Sequence, residues 1–271
     1  MKIISWNALN GMAIPPVQDD GFQAAQTRLV ASIQKLDVDV LGLQEIDHKQ
    51  DRSFHIHHIQ EAARAMQTQH WALAPTIIGT PGLKWRAVEN EESKIVSHDS
   101  DSFSETAYGI GLISRIRVKH WHRIELGRSR IGLPLPIPSG RGMKLVYVPD
   151  EPRIALVAEL ENGFTVAVTH LSFVPIVNFL QLKKLQRKLK SIPGIPIIIG
   201  DLNLPWNLPQ RGGWKSLSTK LTYPSWSPKI QFDYILMRAN DLVNVVVEPL
   251  LIKEVGVSDH LPIGVEITAR Q

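Results

Sequence analysis

The stretch Ile197-Ile198-Ile199-Gly200-Asp201-Leu202-Asn203 decides the reading of this chain. Three consecutive isoleucines suit a strand buried on both faces, because β-branched side chains pack well on a pleated surface. Gly200 lets the backbone turn, and Asp201 and Asn203 stand two residues apart on that turn. A carboxylate and a carboxamide delivered into a loop by a rigid strand suit water activation or a hard metal ion. In isolation, Gly-Asp-x-Asn equally describes a turn capping a helix. Here it is not isolated, since other strand-like runs also end in polar residues.

Immediately upstream, residues 174–189 have helical periodicity, with Leu182, Leu185 and Leu189 on one face. Lys183, Lys184, Arg187, Lys188 and Lys190 form the solvated face of that helix. Before it, residues 164–169 are a strand ending at His170. It is joined to a strand at 154–160 by Glu161-Asn162-Gly163, where Asn-Gly signals a hairpin. The unit "strand ending in His170, helix, strand ending in Asp201" has a counterpart at the N-terminus. There a strand at 2–6 ends in Asn7, an amphipathic helix at 22–36 carries Leu29, Val30, Ile33 and Leu36, and a strand at 37–43 runs into Gln44-Glu45-Ile46-Asp47.

The rest fills in around these halves. A helix is expected at 59–66 and strands at 71–78 and 108–114, with 118–126 as the antiparallel neighbour of the latter. Further strands are expected at 232–237, 243–252 and 263–267. Residues 79–107 and 127–152 are read as long loops, as are residues 204–230, which hold three Trp and four Pro. His55, His57 and His58 lack a matching set of metal ligands and are read as a solvated segment before a helix. Two β-helix-β halves with hairpin strands predict an α/β fold of two sheets packed face to face with helices outside.

Composition bounds the function. At 271 residues, with 44% hydrophobic and 21% charged side chains, the chain can bury a large core. No compositional break divides it, so a single domain over 1–271 is expected. The absence of cysteine excludes a disulfide frame, a thiolate zinc site and a Cys nucleophile. No apolar run approaches the ~18 residues of a membrane span. The N-terminus enters a strand directly, so no signal peptide and a cytoplasmic location are expected. Nothing points to a protein partner. The net charge of +4 hides an asymmetry: residues 1–110 carry 9 Lys/Arg against 14 Asp/Glu, and residues 111–271 carry 21 against 12. Nine of those basic residues lie in 115–153, which suggests an anionic partner.

Taken together, Ser5-Trp6-Asn7, Leu43-Gln44-Glu45, Gly109-Ile110-Gly111-Leu112-Ile113-Ser114-Arg115, Thr169-His170-Leu171, Gly200-Asp201-Leu202-Asn203, Phe232-Asp233-Tyr234-Ile235 and Ser258-Asp259-His260 resemble the motif series of the endonuclease/exonuclease/phosphatase superfamily. The order is that family's, and the motifs span residues 5 to 262. The resemblance implies a four-layer α/β/β/α sandwich and divalent-metal-dependent hydrolysis of phosphoester bonds by in-line attack of an activated water.

Phosphoester cleavage by water needs a nucleophile, neutralised non-bridging oxygens and help for the leaving oxygen. Asn7 and Glu45 are hard oxygen donors at adjacent strand ends, with Asp259 a third. That set suits Mg²⁺, with Mn²⁺ as the alternative. His260 suits a phosphoryl contact, with Asp233 orienting it through the other ring nitrogen. Asp201 would accept the water proton, Asn203 would hold phosphate or water, and His170 would donate to a phosphate oxygen. The resemblance leaves open whether Asp201 or His260 is the base. Arg153, Tyr108 and Trp206 are candidate substrate contacts, and Trp206, Trp214 and Trp226 either stack on substrate or pack their loop onto the core.

Departures narrow the substrate. Where the apurinic endonucleases of this family show Asn-x-Tyr-x-Pro-Asn, this chain has Thr169-His170-Leu171. The His resembles the branch of neutral sphingomyelinases, polyphosphoinositide phosphatases and secreted deoxyribonucleases. A phosphorylated substrate is expected. The basic segment favours a phosphodiesterase acting on nucleic acid. A phosphatase or a lipid or small-molecule phosphodiesterase is the alternative, and a catalytically silent anion-binding scaffold is the remote one.

Overall fold

The computed structural model describes residues 1–14, 21–89, 91, 94–98, 103–139, 142–252 and 256–270. In chain order its elements are β1 (Lys2–Asn7), α1 (Gly21–Gln34), β2 (Val40–His48), α2 (His58–Ala65), β3 (His70–Gly79), β4 (Trp85–Ala87), β5 (Val96–Ser97), β6 (Ala107–Ser114) and β7 (Val118–Gly127). There follow β8 (Leu133–Ser139), β9 (Gly142–Val148), β10 (Arg153–Leu160), β11 (Phe164–His170), α3 (Val177–Lys188), β12 (Ile195–Asp201), β13 (Trp214–Ser216), β14 (Asp233–Arg238), β15 (Val245–Pro249) and β16 (Ile263–Ala269).

All of these strands except β8 and β9 form two mixed sheets. One has the order β15-β16-β1-β2-β6-β3-β4, with β5 also on β3, and the other has the order β13-β14-β12-β11-β10-β7. The isoleucine run is fully buried because β12 is an interior strand, flanked by β11 and β14, with side chains packed on both faces. Ile197 and Ile199 meet Ile3, Val40, Leu112 and Ile263 of the other sheet, while Ile198 faces Leu182 and Leu185 of α3. On the far side, Leu29 and Ile33 of α1 and Ile59, Ala62 and Ala63 of α2 cover the first sheet. The layers are therefore α/β/β/α, as expected. The sheets approach so closely that a Cβ added to Gly42 would lie 2.5 Å from Ile199 Cδ1. The two expected β-helix-β units are present: β1 pairs in parallel with β2, and β11 with β12.

Four expectations are corrected. First, β7 does not pair with β6. It crosses to the second sheet and runs antiparallel to β10, because β6 already has β2 and β3 on its two edges. Second, residues 127–152 are not all loop: β8 and β9 form a separate two-stranded hairpin. Pro134, Pro136 and Pro138 masked it in the sequence. They recur at every second position, so the N–H groups between them stay free to pair with β9. Third, the strand containing Glu45 does not stop at Leu43 but continues through a bulge to His48. Fourth, His57 and His58 are buried, because α2 packs their rings inward. The His57 ring meets His48 and Trp71, and His58 Nδ1 accepts the Asp47 N–H at 3.1 Å. His55 alone of the three is exposed. The wet face of α3 is as expected, with Leu182, Leu185 and Leu189 buried.

Candidate active site

Asp201 ends β12 with His170 beside it on β11 and Asp233 beside it on β14. The parallel register pairs His170 with Asp201, and the antiparallel register pairs Asp201 with Asp233. Three neighbouring strand ends thus set three ionisable side chains in a row. Gly200 makes this row possible. Its φ is +147°, and a Cβ there would lie 1.8 Å from the Thr169 carbonyl oxygen. Only glycine lets the two strands meet at that point.

The first sheet supplies the opposite wall. Asn7 ends β1, and Glu45 sits in β2 where the register slips between Leu43 and Ile46. Glu45 takes φ +54°, and a bulge of this kind re-aims a side chain out of its ladder. The buried Asn7 Nδ2 donates to Glu45 Oε1 at 2.9 Å and to Asp201 Oδ2 at 3.2 Å, bridging the two sheets. The loop carrying His260 is tied to the end of β1. The Ser258 hydroxyl donates to the Asn7 carbonyl at 2.6 Å and accepts the His260 N–H at 3.0 Å, while the Trp6 indole donates to the His260 carbonyl at 3.2 Å.

This anchoring places the His260 imidazole between two buried aspartates. Its Nδ1 donates to Asp233 Oδ2 at 2.8 Å, and its Nε2 lies 3.7 Å from Asp201 Oδ2. His170 Nε2 lies 3.6 Å from the same oxygen. Asp201 Oδ1 accepts the Asn203 backbone N–H at 2.9 Å. The Asn203 side-chain amide donates to the Leu171 carbonyl at 3.0 Å, leaving its Oδ1 without a donor among the described residues.

Burial pushes the Asp201 carboxyl above the usual carboxylate range, and Asp233 adds to the rise while His260 opposes it. Burial works against protonation of His260, but attraction from Asp233, Asp201 and Asp259 outweighs it and holds the imidazole up at about 10. For His170, burial has the upper hand, reinforced by Arg153 and His260, and its pKa lies well below the ordinary value. Near neutral pH the site therefore holds a cationic His260 and a neutral His170 on either side of Asp201.

Glu45, Tyr108, Glu151, Arg153, His170, Phe173, Asp201, Asn203, Tyr223, Phe232, Asp259 and His260 share one cleft of about 490 Å³. Asn7 and Asp233 lie just beneath, bonded to Asp201 and His260. The expected residues are thus together, with one exception. Trp206 does not line the cleft: its side chain is exposed, and its carbonyl accepts the Tyr234 hydroxyl at 2.8 Å. Trp214 packs into the core and Trp226 is exposed. Of the basic residues in 115–153, only Arg153 lines the cleft among the described residues. Arg115 reaches Asp37 and Arg117 reaches Glu161, both at the far end of the sandwich, and Arg123 is held by Glu125. Arg141 lies outside the described residues.

Sequence reading missed Glu151, Phe173, Tyr223 and Phe232 as wall residues. Glu151 and Phe173 flank strands at their site ends, beside Arg153 and His170. Counting outward from those residues was the available signal.

Glu45 and Asp259 with Asn7 fit a hard divalent cation by two observations. Asp259 Oδ1 is buried with no hydrogen-bond partner among the described residues, and Glu45 lies near enough to raise the Asp259 carboxyl further beyond the effect of burial. As a ligand Asn7 would offer Oδ1, which here accepts the Leu9 N–H at 3.2 Å. Asp201, Asp233 and His260 also bring ligand atoms within 4.8 Å of one another. We read that trio as a proton-handling group, because its Nδ1 is already bonded to Asp233 and Asp201 Oδ1 to Asn203.

The description "Endonuclease/Exonuclease/phosphatase family" belongs to a family model that matches residues 4–260. No curated protein matches the sequence. Among solved structures, a mannosyl-6-phosphatase of Bacteroides thetaiotaomicron is 15% identical with a TM-score of 0.59, and 99% of each chain is covered. The human Nocturnin catalytic domain with bound sulfate anion is 16% identical with a TM-score of 0.57, over 100% of this chain and 93% of that one. A humanized D. rerio TDP2 is 15% identical with a TM-score of 0.56, over 99% and 98%.

Proposed function

The chain belongs to the endonuclease/exonuclease/phosphatase family of phosphoester hydrolases, and from that premise we propose that it hydrolyses a small phosphorylated substrate with a divalent cation, Mg²⁺ or Mn²⁺. The observation that carries this reading is the buried Asp201 between a His260–Asp233 pair and His170, in one cleft with Glu45 and Asp259.

In this reading Asp201 is the general base. His260 already holds its proton near neutral pH and cannot take a second, whereas the raised basicity of Asp201 suits removal of a proton from water. Asn203 Oδ1, which takes no donor among the described residues, would orient that water. Cationic His260, fixed by Asp233, and the N–H of neutral His170 would stabilise charge on the phosphoryl oxygens. A cation held by Glu45, Asp259 and Asn7 would polarise the phosphoryl group and neutralise the leaving oxygen. Arg153 is pinned by Asp150 through Nε and Nη2 at 3.3 and 3.1 Å and would hold the substrate phosphate from the side. The cleft volume lies in the range of small-molecule sites. The test is hydrolysis of a panel of phosphomonoesters, phosphodiesters, lipid phosphoesters and DNA, with Mg²⁺, Mn²⁺ or EDTA. Full turnover in excess EDTA would refute the metal.

A second reading, a nuclease, is favoured by the excess of 21 basic over 12 acidic residues in 111–271. It predicts that DNA cleavage weakens steeply with salt, and that Arg128→Ala with Arg130→Ala flattens log affinity against log salt by up to about two units. A wild-type slope in that double variant would remove this reading.

A further inference from the structure

Among the described residues, Glu151 is the one acidic wall residue to which neither the metal set nor the proton-handling group gives a task. Its side chain lines the cleft, and no hydrogen bond reaches its carboxylate among the described residues. Two guanidinium groups are near enough to act on it, those of Arg153 and Arg52. Each is already matched by a buried aspartate of its own. Arg52 is bidentate on Asp47 at 2.9 and 2.8 Å, and Arg153 is on Asp150. Asp150 is in turn satisfied by the Ser129 N–H at 2.7 Å and the Ser172 hydroxyl at 2.9 Å. The wall beyond the reacting phosphate therefore carries a surplus negative charge, not a surplus positive one. Tyr108 lies near enough to feel the Glu151 charge, Phe173 lies under the Arg153 guanidinium, and the rings of Tyr223 and Phe232 line the same cleft on the His260 side.

Resting on the phosphoesterase reading above, we propose that Glu151 selects the alcohol part of the substrate: a single-phosphate ester whose alcohol is uncharged and carries hydroxyl groups. A carboxylate with free lone pairs accepts hydrogen bonds from hydroxyls and repels a second phosphate, so it discriminates by both attraction and repulsion. Aromatic rings complement the apolar faces of such an alcohol. A hexose, an inositol or the ribose of a nucleotide presents this chemistry. A polynucleotide or a bisphosphate brings further anions against Glu151 and is disfavoured.

The test compares kcat/KM of wild type, Glu151→Gln and Glu151→Lys on five probes: glucose 6-phosphate, mannose 6-phosphate, adenosine 5′-monophosphate, glucose 1,6-bisphosphate and p-nitrophenyl phosphate. Wild type should prefer glucose 6-phosphate or one of the other hydroxylated monophosphates to glucose 1,6-bisphosphate, and the identity of the best probe separates hexose from ribose. The ratio of bisphosphate to monophosphate kcat/KM should rise by about tenfold in Glu151→Gln and further in Glu151→Lys, carried by KM. A purely structural role would lower all five together, and that result, or a constant ratio, overturns the proposal. If wild type hydrolyses none of the probes but does hydrolyse the diesters, lipid phosphoesters or DNA named above, the Glu151 proposal is overturned and the phosphoesterase reading stands. If it hydrolyses none of the probes and none of those substrates either, the phosphoesterase reading fails. Binding of the same probes, followed by calorimetry, then decides the Glu151 inference by the same ratio.

Discussion

Asp201 carries the heaviest chemical assignment. Asp201→Asn keeps the shape and the Asn203 contact but removes the base, and should cut kcat by roughly 10²–10⁴ with little change in KM. Near-native turnover would reassign the base. Glu45→Gln should weaken Mg²⁺ binding by at least about tenfold, since even outer partners of metal ligands cost 10–100-fold when lost. Calorimetric titration with Mg²⁺ reads this without turnover, and an unchanged isotherm would take Glu45 out of the set. Most of these residues were legible in the sequence, because each stands at the end of an apolar run, where a strand hands its last polar side chain to the loop. Trp206 was misplaced because aromatic character alone does not separate a substrate platform from a loop side chain. Glu151 was not legible: its importance lies in Arg52 and Arg153 being claimed by Asp47 and Asp150, and those pairings exist only once β2 and β10 are folded.

Among the elements, β12 and the start of α2 give the sharpest expectations. Gly200→Ala forces a Cβ onto the Thr169 carbonyl at a backbone angle that L-residues avoid. It should cost on the order of 3 kcal/mol or more and lower Tm by several degrees, with activity falling further as Asp201 shifts. An alanine variant with wild-type Tm would contradict the close approach of β11 and β12. Just before α2, burial pushes the His57 imidazole down to about 2, helped by His48, Lys49, His58 and Arg64. Burial likewise pushes His58 down to about 4, with Asp47 and Glu61 opposing and Arg52 adding. Both stay neutral in the fold while the unfolded chain takes up protons below about 6.5. Their contribution is therefore intact above that pH and is lost as pH falls, down to about 4 for His58 and about 2 for His57, at up to about 1.4 kcal/mol per His per pH unit. Denaturant melts at pH 7 and 5.5 check this, and His57→Phe should flatten the acid limb; an identical limb would show that His57 is protonated in the fold. The sequence showed the strand and helix periods but not partner choice. Whether 118–126 joined 108–114 depended on both edges of β6 being taken, which is a property of the sheet.

For the whole molecule, the order of layers followed from two β-helix-β units recognised in the chain, and the meeting of their strand ends is what creates the cleft. Global charge was the weaker guide. The basic segment 115–153 is distributed over both ends of the sandwich, and several of its arginines are spent on neighbouring acids. No helix among the described residues is long and apolar enough to cross a membrane. The central claim is that water activated beside Asp201 attacks phosphorus with a cation held at Glu45 and Asp259. Hydrolysis of the best phosphoester in ¹⁸O-labelled water with Mg²⁺ tests it most directly. The account predicts one solvent ¹⁸O in the released phosphate, turnover abolished by EDTA, and loss of at least about 10²-fold in Asp201→Asn. Solvent label in the released alcohol instead of the phosphate, or full turnover without a divalent cation, would contradict it.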